Sequence, residues 1–376
     1  MKSIFAPLAL AASLAAADVP MRARGREALP TPGKAMPIGK PVAIRPPLGL
    51  PPVPIPSDNP PTEETITLGR KLFFDPLLSR DGKISCSSCH DFDAFTSDAK
   101  QFSEGFLGQK GKRQAMPVIN AAYHETQFWD GRATTLEDQT RFPVPDPIEM
   151  AHSLIGVERR LAASTDYVRL FAKAFGPGRI TYDMVAKSIA SYERTLLSGN
   201  SPFDRYYYGG QKTAMSPAAI RGLEQFSDLT LDGPNCISCH RIEPKYAVFT
   251  ENRFHNTGIA WDQATKTYVD PGRIAVTGQA KDAGAFKVVT LRNVARTAPY
   301  MHDGGMKTLE EVVNFYVDGG KPNPLLSGVM PHKGLPRIPP NKLQQAKADL
   351  VEFLKALNGE IPAGARPPEP KARASK

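Results

Sequence analysis

Two pentapeptides in this chain share one pattern, Cys86-Ser-Ser-Cys89-His90 and Cys236-Ile-Ser-Cys239-His240, and between them they hold all four cysteines. Two thiols at this spacing can add across the vinyl groups of a haem. A histidine directly after the second thiol is then placed to bind the iron from one face. Zinc is the competing chemistry, because two such pairs can build a tetrahedral thiolate site. Zinc gives no reason for a histidine after both pairs, and the pairs stand 150 residues apart. Two disulfides are a further option in an oxidising compartment. The repeated histidine favours two covalently bound c-type haems.

Each pentapeptide needs an element to present it, and an internal repeat supplies one. Leu68-Gly69-Arg70-Lys71-Leu72-Phe73-Phe74-Asp75 leads to Cys86, and Arg221-Gly222-Leu223-Glu224-Gln225-Phe226-Ser227-Asp228 leads to Cys236. In both, glycine is followed by Phe four positions on and Asp six positions on. The pattern predicts a helix feeding each haem-attachment loop, and hence two cytochrome c-like units joined near Gly199 to Pro202. Tyr182 to Leu197 has apolar residues at helical spacing. Thr308 to Tyr316 opens with an N-cap threonine and a glutamate three positions later, and stops at Gly319-Gly320. Asn341 to Leu357 is expected as an amphipathic closing helix. No sustained alternation of apolar and polar residues points to strands, so the fold is expected to be mainly α with long loops and few strands.

Lys2, the apolar run Ile4 to Leu14 and the small residues Ala15-Ala16-Ala17 fit a cleavable export signal. The run is too short for a comfortable membrane span. Export to the periplasm suits c-type haem, which is attached outside the cytoplasm. The expected organisation is a signal peptide at 1–17 and a proline-dense linker or surface strap at 18–62. An N-terminal haem domain at 63–200 and a C-terminal haem domain at 201–360 follow, with a disordered tail at 361–376. At 376 residues the chain can bury a substantial core. Its net charge of +9 would be partly offset by four haem propionates, and no nucleic-acid motif accompanies it.

Beyond the haem motifs, several stretches resemble the bacterial di-haem cytochrome c peroxidase and MauG family. They include Leu68 to Asp75, Gln127-Phe-Trp-Asp-Gly-Arg-Ala133, Pro147-Ile-Glu-Met150 and Ser201-Pro-Phe-Asp-Arg205 in the first two-thirds. Phe286-Lys-Val-Val-Thr-Leu-Arg-Asn293 and Thr297-Ala-Pro-Tyr-Met-His-Asp-Gly304 follow. The resemblance spans roughly 63–358. It implies that the haem bound through His90 reacts with hydrogen peroxide and that the haem bound through His240 exchanges electrons with a partner. It also implies a calcium ion held by Gln114, where asparagine is usual, and by the carbonyls of Thr297 and Pro299. Glu149 matches the catalytic distal glutamate, and Trp129 the tryptophan placed between the haems.

Two positions depart from the better-known peroxidase pattern. Phe106 falls where many relatives carry a removable distal histidine, and phenylalanine cannot ligate iron. The first haem is therefore expected to keep an open face, with His124 as a packing residue. Tyr316 falls where peroxidases have an axial methionine, and MauG resembles this chain in having tyrosine there. A phenolate favours ferric and higher-valent iron where methionine favours ferrous iron. Met301, Met306 and Met330 are rival ligands, and His255 and His302 are expected to be structural or propionate-facing. The leading function is a peroxidase fed by a small cytochrome or cupredoxin. The alternatives are a MauG-like oxidase of tyrosine or tryptophan on a partner protein, or an electron-transfer cytochrome without catalysis.

Overall fold

The computed structural model describes residues 35–366, and the expected signal peptide at 1–17 lies outside them. The described residues contain ten α-helices. In chain order they are α1 (Glu63–Phe74), α2 (Leu136–Gln139), α3 (Leu154–Ala162), α4 (Thr165–Phe175) and α5 (Tyr182–Glu193). Then come α6 (Pro202–Tyr207), α7 (Pro217–Phe226), α8 (Ile274–Thr277), α9 (Leu309–Val317) and α10 (Pro340–Lys355). Strands are few. β1 (Phe254–His255) pairs antiparallel with β4 (Phe286–Lys287), and β2 (Trp261–Asp262) with β3 (Thr267–Tyr268). The fold is mainly α, with long loops carrying both haem-attachment motifs.

The repeated glycine explains how each motif is presented. In α1, a Cβ on Gly69 would lie 1.8 Å from the Ser188 carbonyl oxygen of α5. In α7, a Cβ on Gly222 would lie 2.0 Å from the Asp349 carbonyl oxygen of α10. Both contacts are far inside van der Waals range, so only glycine permits the two close helix crossings. The phenylalanine four residues on then packs across each crossing. The Phe73 and Tyr192 rings lie 5.4 Å apart, and Phe226 and Phe353 lie 4.9 Å apart. The aspartate two residues further caps the exit. Asp75 accepts from the Leu77 amide, and Asp228 from the Thr230 amide.

Caps set the other boundaries. Thr62 and Thr65 form a reciprocal cap on α1, Ser216 caps α7 with Pro217 in its first turn, and Thr308 accepts from the Glu311 amide at the start of α9. The stretch expected to be helical from Tyr182 to Leu197 leaves the helix at Glu193, where the chain tightens into turns.

The proline-dense segment is described from residue 35 and lies as a strap on the body. Ile38 donates to the Ala174 carbonyl, Leu50 is buried, and the Gly49 carbonyl accepts from the Ala247 amide and the Arg292 guanidinium. Proline cannot donate backbone bonds, so the strap is held through its carbonyls and its few free amides. The terminal stretch differs from expectation at its start. Residues 361–366 pack back on the first half, where the Gly364 carbonyl accepts from Arg70 and the Ala365 carbonyl from the Tyr192 hydroxyl. Residues 367–376 lie outside the described region.

Candidate haem sites

The first attachment motif folds as one tight helical turn. Cys89 and His90 donate their amides to the Cys86 carbonyl at 3.2 and 3.0 Å, and His90 lines a cavity walled by α5, with Phe73 of α1 6.5 Å from its ring. Burial lowers the His90 pKa, so the ring is the neutral form that can ligate a metal. Its Nδ1 lies 3.4 Å from the Thr96 carbonyl. Cys86, Cys89, Gln139, Glu149, Arg132 and Trp129 line the same cavity.

Glu149 is an exposed residue on the wall of this hollow. The enclosing wall and the nearby Asp146 raise its carboxyl pKa, partly countered by Arg132. A haem in the cavity would dehydrate the group further, in the same direction. The loop before it is pinned to the same backbone. Phe106 donates its amide to the Ile148 and Glu149 carbonyls, and a Cβ on Gly105 would sit 2.1 Å from the Ile148 oxygen. The Phe106 ring lies 5.7 Å from the Arg80 guanidinium and is not among the residues lining the cavity. Ser103 and Gly105 represent this loop on the cavity wall.

The second motif repeats the turn, with the His240 amide donating to the Cys236 carbonyl at 2.9 Å. Its Nδ1 lies 2.8 Å from the Phe249 carbonyl, which fixes the tautomer that leaves Nε2 free for a metal. Burial lowers the ring pKa to about 4. Tyr316, on α9, lines this cavity, and its phenol makes no hydrogen bond among the described residues. Burial and the two nearby thiols push its pKa up. A neutral, unpartnered phenol facing a hollow is a group waiting for a Lewis acid or a donor. Met301 and Met330 also line the cavity, whereas Met306 does not.

The cavities share a wall made of Gln114, Met116, Pro117, His124 and Trp129. The Trp129 indole donates to the Gln114 carbonyl at 2.9 Å, and its own carbonyl accepts from Lys287. His302 stacks on Phe286 at 3.5 Å between ring centres and lies 6.5 Å from Trp129. His255 bridges Glu251 and Ser327. Arg113 ties the halves together through Asp130 and Asp270, at 2.6 and 2.7 Å.

These residues fit haem and do not fit the alternatives. All four cysteines are free, so no disulfide forms among them. The two pairs line different cavities, so they cannot build one tetrahedral zinc site. Burial raises the thiols of Cys86 and Cys236 to about 12, and those of Cys89 and Cys239 to about 11. Each cavity instead offers a thiol pair, a neutral imidazole and a mostly apolar wall.

Residues 63–212 match the family described as di-haem cytochrome c peroxidase. The chain is 36% identical over 309 residues to the methylamine utilization protein MauG of Methylorubrum extorquens, covering 82% of each. It is also 36% identical to the cytochrome c551 peroxidase of Nitrosomonas europaea, covering 82% of this chain and 84% of that one. The chain belongs to the di-haem cytochrome c peroxidase family. Among solved structures, a MauG-like protein associated with microbial copper homeostasis superposes with a TM-score of 0.74 at 34% identity, covering 85% of this chain and 97% of that one. Membership implies two c-type haems and an oxidoreductase acting on peroxide.

Within this di-haem protein, three positions escaped the sequence analysis. Gln139 and Arg132 line the first cavity, and Arg132 sat inside the quoted Gln127 to Ala133 motif without being singled out. Glu193 also lines that cavity, buried, with its Oε2 lacking a partner among the described residues. Its signal was a lone carboxylate at the end of a mostly buried helix.

Proposed function

We propose that this protein is a periplasmic peroxidase that reduces hydrogen peroxide to water at the haem bound through His90. Electrons would come through the haem bound through His240 from a small cytochrome or cupredoxin. The observation that carries this reading is Glu149, a carboxyl of raised pKa on the wall of the cavity that also holds His90, Cys86 and Cys89. The haem iron would supply the redox chemistry of O–O cleavage. Glu149 would hold a proton and move it from the near to the far peroxide oxygen, so that the far oxygen leaves as water. Two electrons and two further protons then complete the reduction to two waters. Trp129, lining both cavities, would carry electrons between them.

The pinned 103–108 loop supports a first haem that needs no activation. Its Phe106 backbone is tied to Glu149, its ring rests by Arg80, and it brings no imidazole to the cavity. No helix among the described residues is long and apolar enough to cross a membrane. For calcium, Gln114 donates its amide nitrogen to Ser97, and Thr297 and Pro299 carry carbonyls that accept no hydrogen bond among the described residues. All three line the second cavity. Such a neutral oxygen set suits calcium with water completing its shell.

A second reading is favoured by one observation, the unpartnered Tyr316 phenol beside His240. A phenolate there would let the second haem store oxidising equivalents, as required of a MauG-like oxidase acting on tyrosine or tryptophan of a partner protein. Peroxide added to the fully ferric protein separates the two. The peroxidase turns over rapidly with a reduced small cytochrome and leaves no lasting oxidised species. The oxidase gives a long-lived oxidised species before any donor is added. Failure to consume peroxide in either redox state would leave only electron transfer and sink both.

A further inference from the structure

Lys287 is a buried cation without an anion. It sits on β4 at 3% exposure, with its amide bonded to the Trp129 carbonyl and its ammonium donating to the Thr126 carbonyl. The carboxylate whose charge reaches it, Glu125, is exposed and makes no ion pair with it among the described residues. Burial accordingly lowers the ammonium pKa to about 7. A charge kept in such a place needs an anionic partner to offset its lost hydration. Lys287 is among the residues lining the second haem cavity.

His124 lines the same cavity. It is buried, its Nε2 has no hydrogen-bond partner among the described residues, and the charge of Lys287 helps to lower its pKa. The other cationic groups on this cavity are committed. Arg292 is saturated by Asp204, Gly49 and Ala247, and His255 by Glu251 and Ser327. His240 is the iron ligand candidate, and His302 is stacked on Phe286 with Asp303 and Asp270 nearby. Two nitrogen-bearing residues without an acidic partner among the described residues therefore line one hollow, Lys287 held by a carbonyl and His124 by nothing at Nε2.

We infer that Lys287 and His124 clamp a propionate of the second haem, anchoring that haem against the wall it shares with the first. This rests on the di-haem reading. The carboxylate would accept from Lys287 Nζ and His124 Nε2–H, leaving the ammonium charged and the propionate ionised. Because the Lys287 amide is bonded to the Trp129 carbonyl, the clamp would also set the distance from that propionate to the inter-haem tryptophan.

A crystal structure of the haem-loaded protein tests the placement directly. A propionate oxygen within about 3.2 Å of Lys287 Nζ is expected. Propionates directed elsewhere, with Lys287 held by Thr126 alone, would overturn the clamp. Redox titrations of Lys287→Met and Lys287→Arg at pH 6 and 8 give a second readout, with haem content counted by pyridine haemochrome. The low-spin haem of the Met variant should have a lower potential at pH 8 and acquire a pH dependence, because its unclamped propionate then titrates. The Arg variant should stay close to the parent. Parent-like potentials and slopes in a Met variant carrying two haems would contradict the clamp. If the Met variant loses the second haem, the crystal structure decides. Fewer than two haems on the unsubstituted protein would instead sink the di-haem reading itself.

Discussion

The Phe106 amide donates to the Glu149 carbonyl at 2.8 Å, so the loop that could have carried a distal ligand is fastened to the backbone of the proton-handling candidate. On the proposed reading, a loop fixed in this way would not have to swing clear before peroxide enters, because its backbone is tied to that of Ile148 and Glu149.

Glu149→Gln keeps the side-chain volume and removes the exchangeable acid. Peroxide cleavage, followed by stopped-flow absorbance, is expected to slow by about 10²–10⁴-fold while the resting haem spectrum is unchanged. A rate within a few fold of the parent would remove Glu149 as the shuttle.

Tyr316→Phe deletes only the phenol oxygen. The spectrum of the low-spin haem is expected to change, with loss of the bands of the oxygen-ligated form. An unaltered spectrum would exclude the phenol and pass the role to Met301 or Met330, the methionines that share its cavity.

Gly222→Ala and Gly69→Ala place a methyl 2.0 and 1.8 Å from backbone carbonyl oxygens. Backbone cannot yield as a side-chain tip can, so each is expected to cost about 1–3 kcal/mol or more, read as a lowered thermal midpoint of the haem-loaded protein. Parent-like midpoints in both would mean that the crossings are looser than described.

The helices that present the haem motifs were legible because glycine, phenylalanine and aspartate recur at fixed offsets, and each residue has one packing job. That Glu149 and Tyr316 line the cavities was expected only through the motifs around them; as single residues they look like a loop acid and a core ring. Lys287 and Glu193 were not legible. A lysine in a two-residue strand and an acid on a helix normally face water, and only tertiary packing shows that both are sealed in beside a cavity. The return of residues 361–366 was missed for a related reason. A proline-rich terminus binds through its carbonyls to Arg70 and Tyr192, and that pairing leaves no local pattern.

Glu193 supplies a pH prediction. Burial raises its pKa from 4.5 to about 8. Below about pH 4.5 the folded and unfolded chains both keep the proton. Between about 4.5 and 8 the unfolded chain gives it up while the folded chain retains it, so stability falls as pH rises. The slope is at most about 1.4 kcal/mol per pH unit, and it vanishes above about pH 8, where both forms are ionised. Glu193→Gln should flatten this fall in denaturant titrations between pH 5 and 8. Parallel pH profiles for parent and variant would show that the carboxyl is hydrated or paired.

Low-temperature EPR of the fully ferric, as-isolated protein tests the central claim most directly, since it reports the ligation of both irons in one spectrum. One high-spin signal from the His90 haem and one low-spin signal from the His240 haem are expected. Two low-spin signals, or a high-spin signal that appears only after half-reduction, would mean that the first iron is capped at rest and would contradict the account.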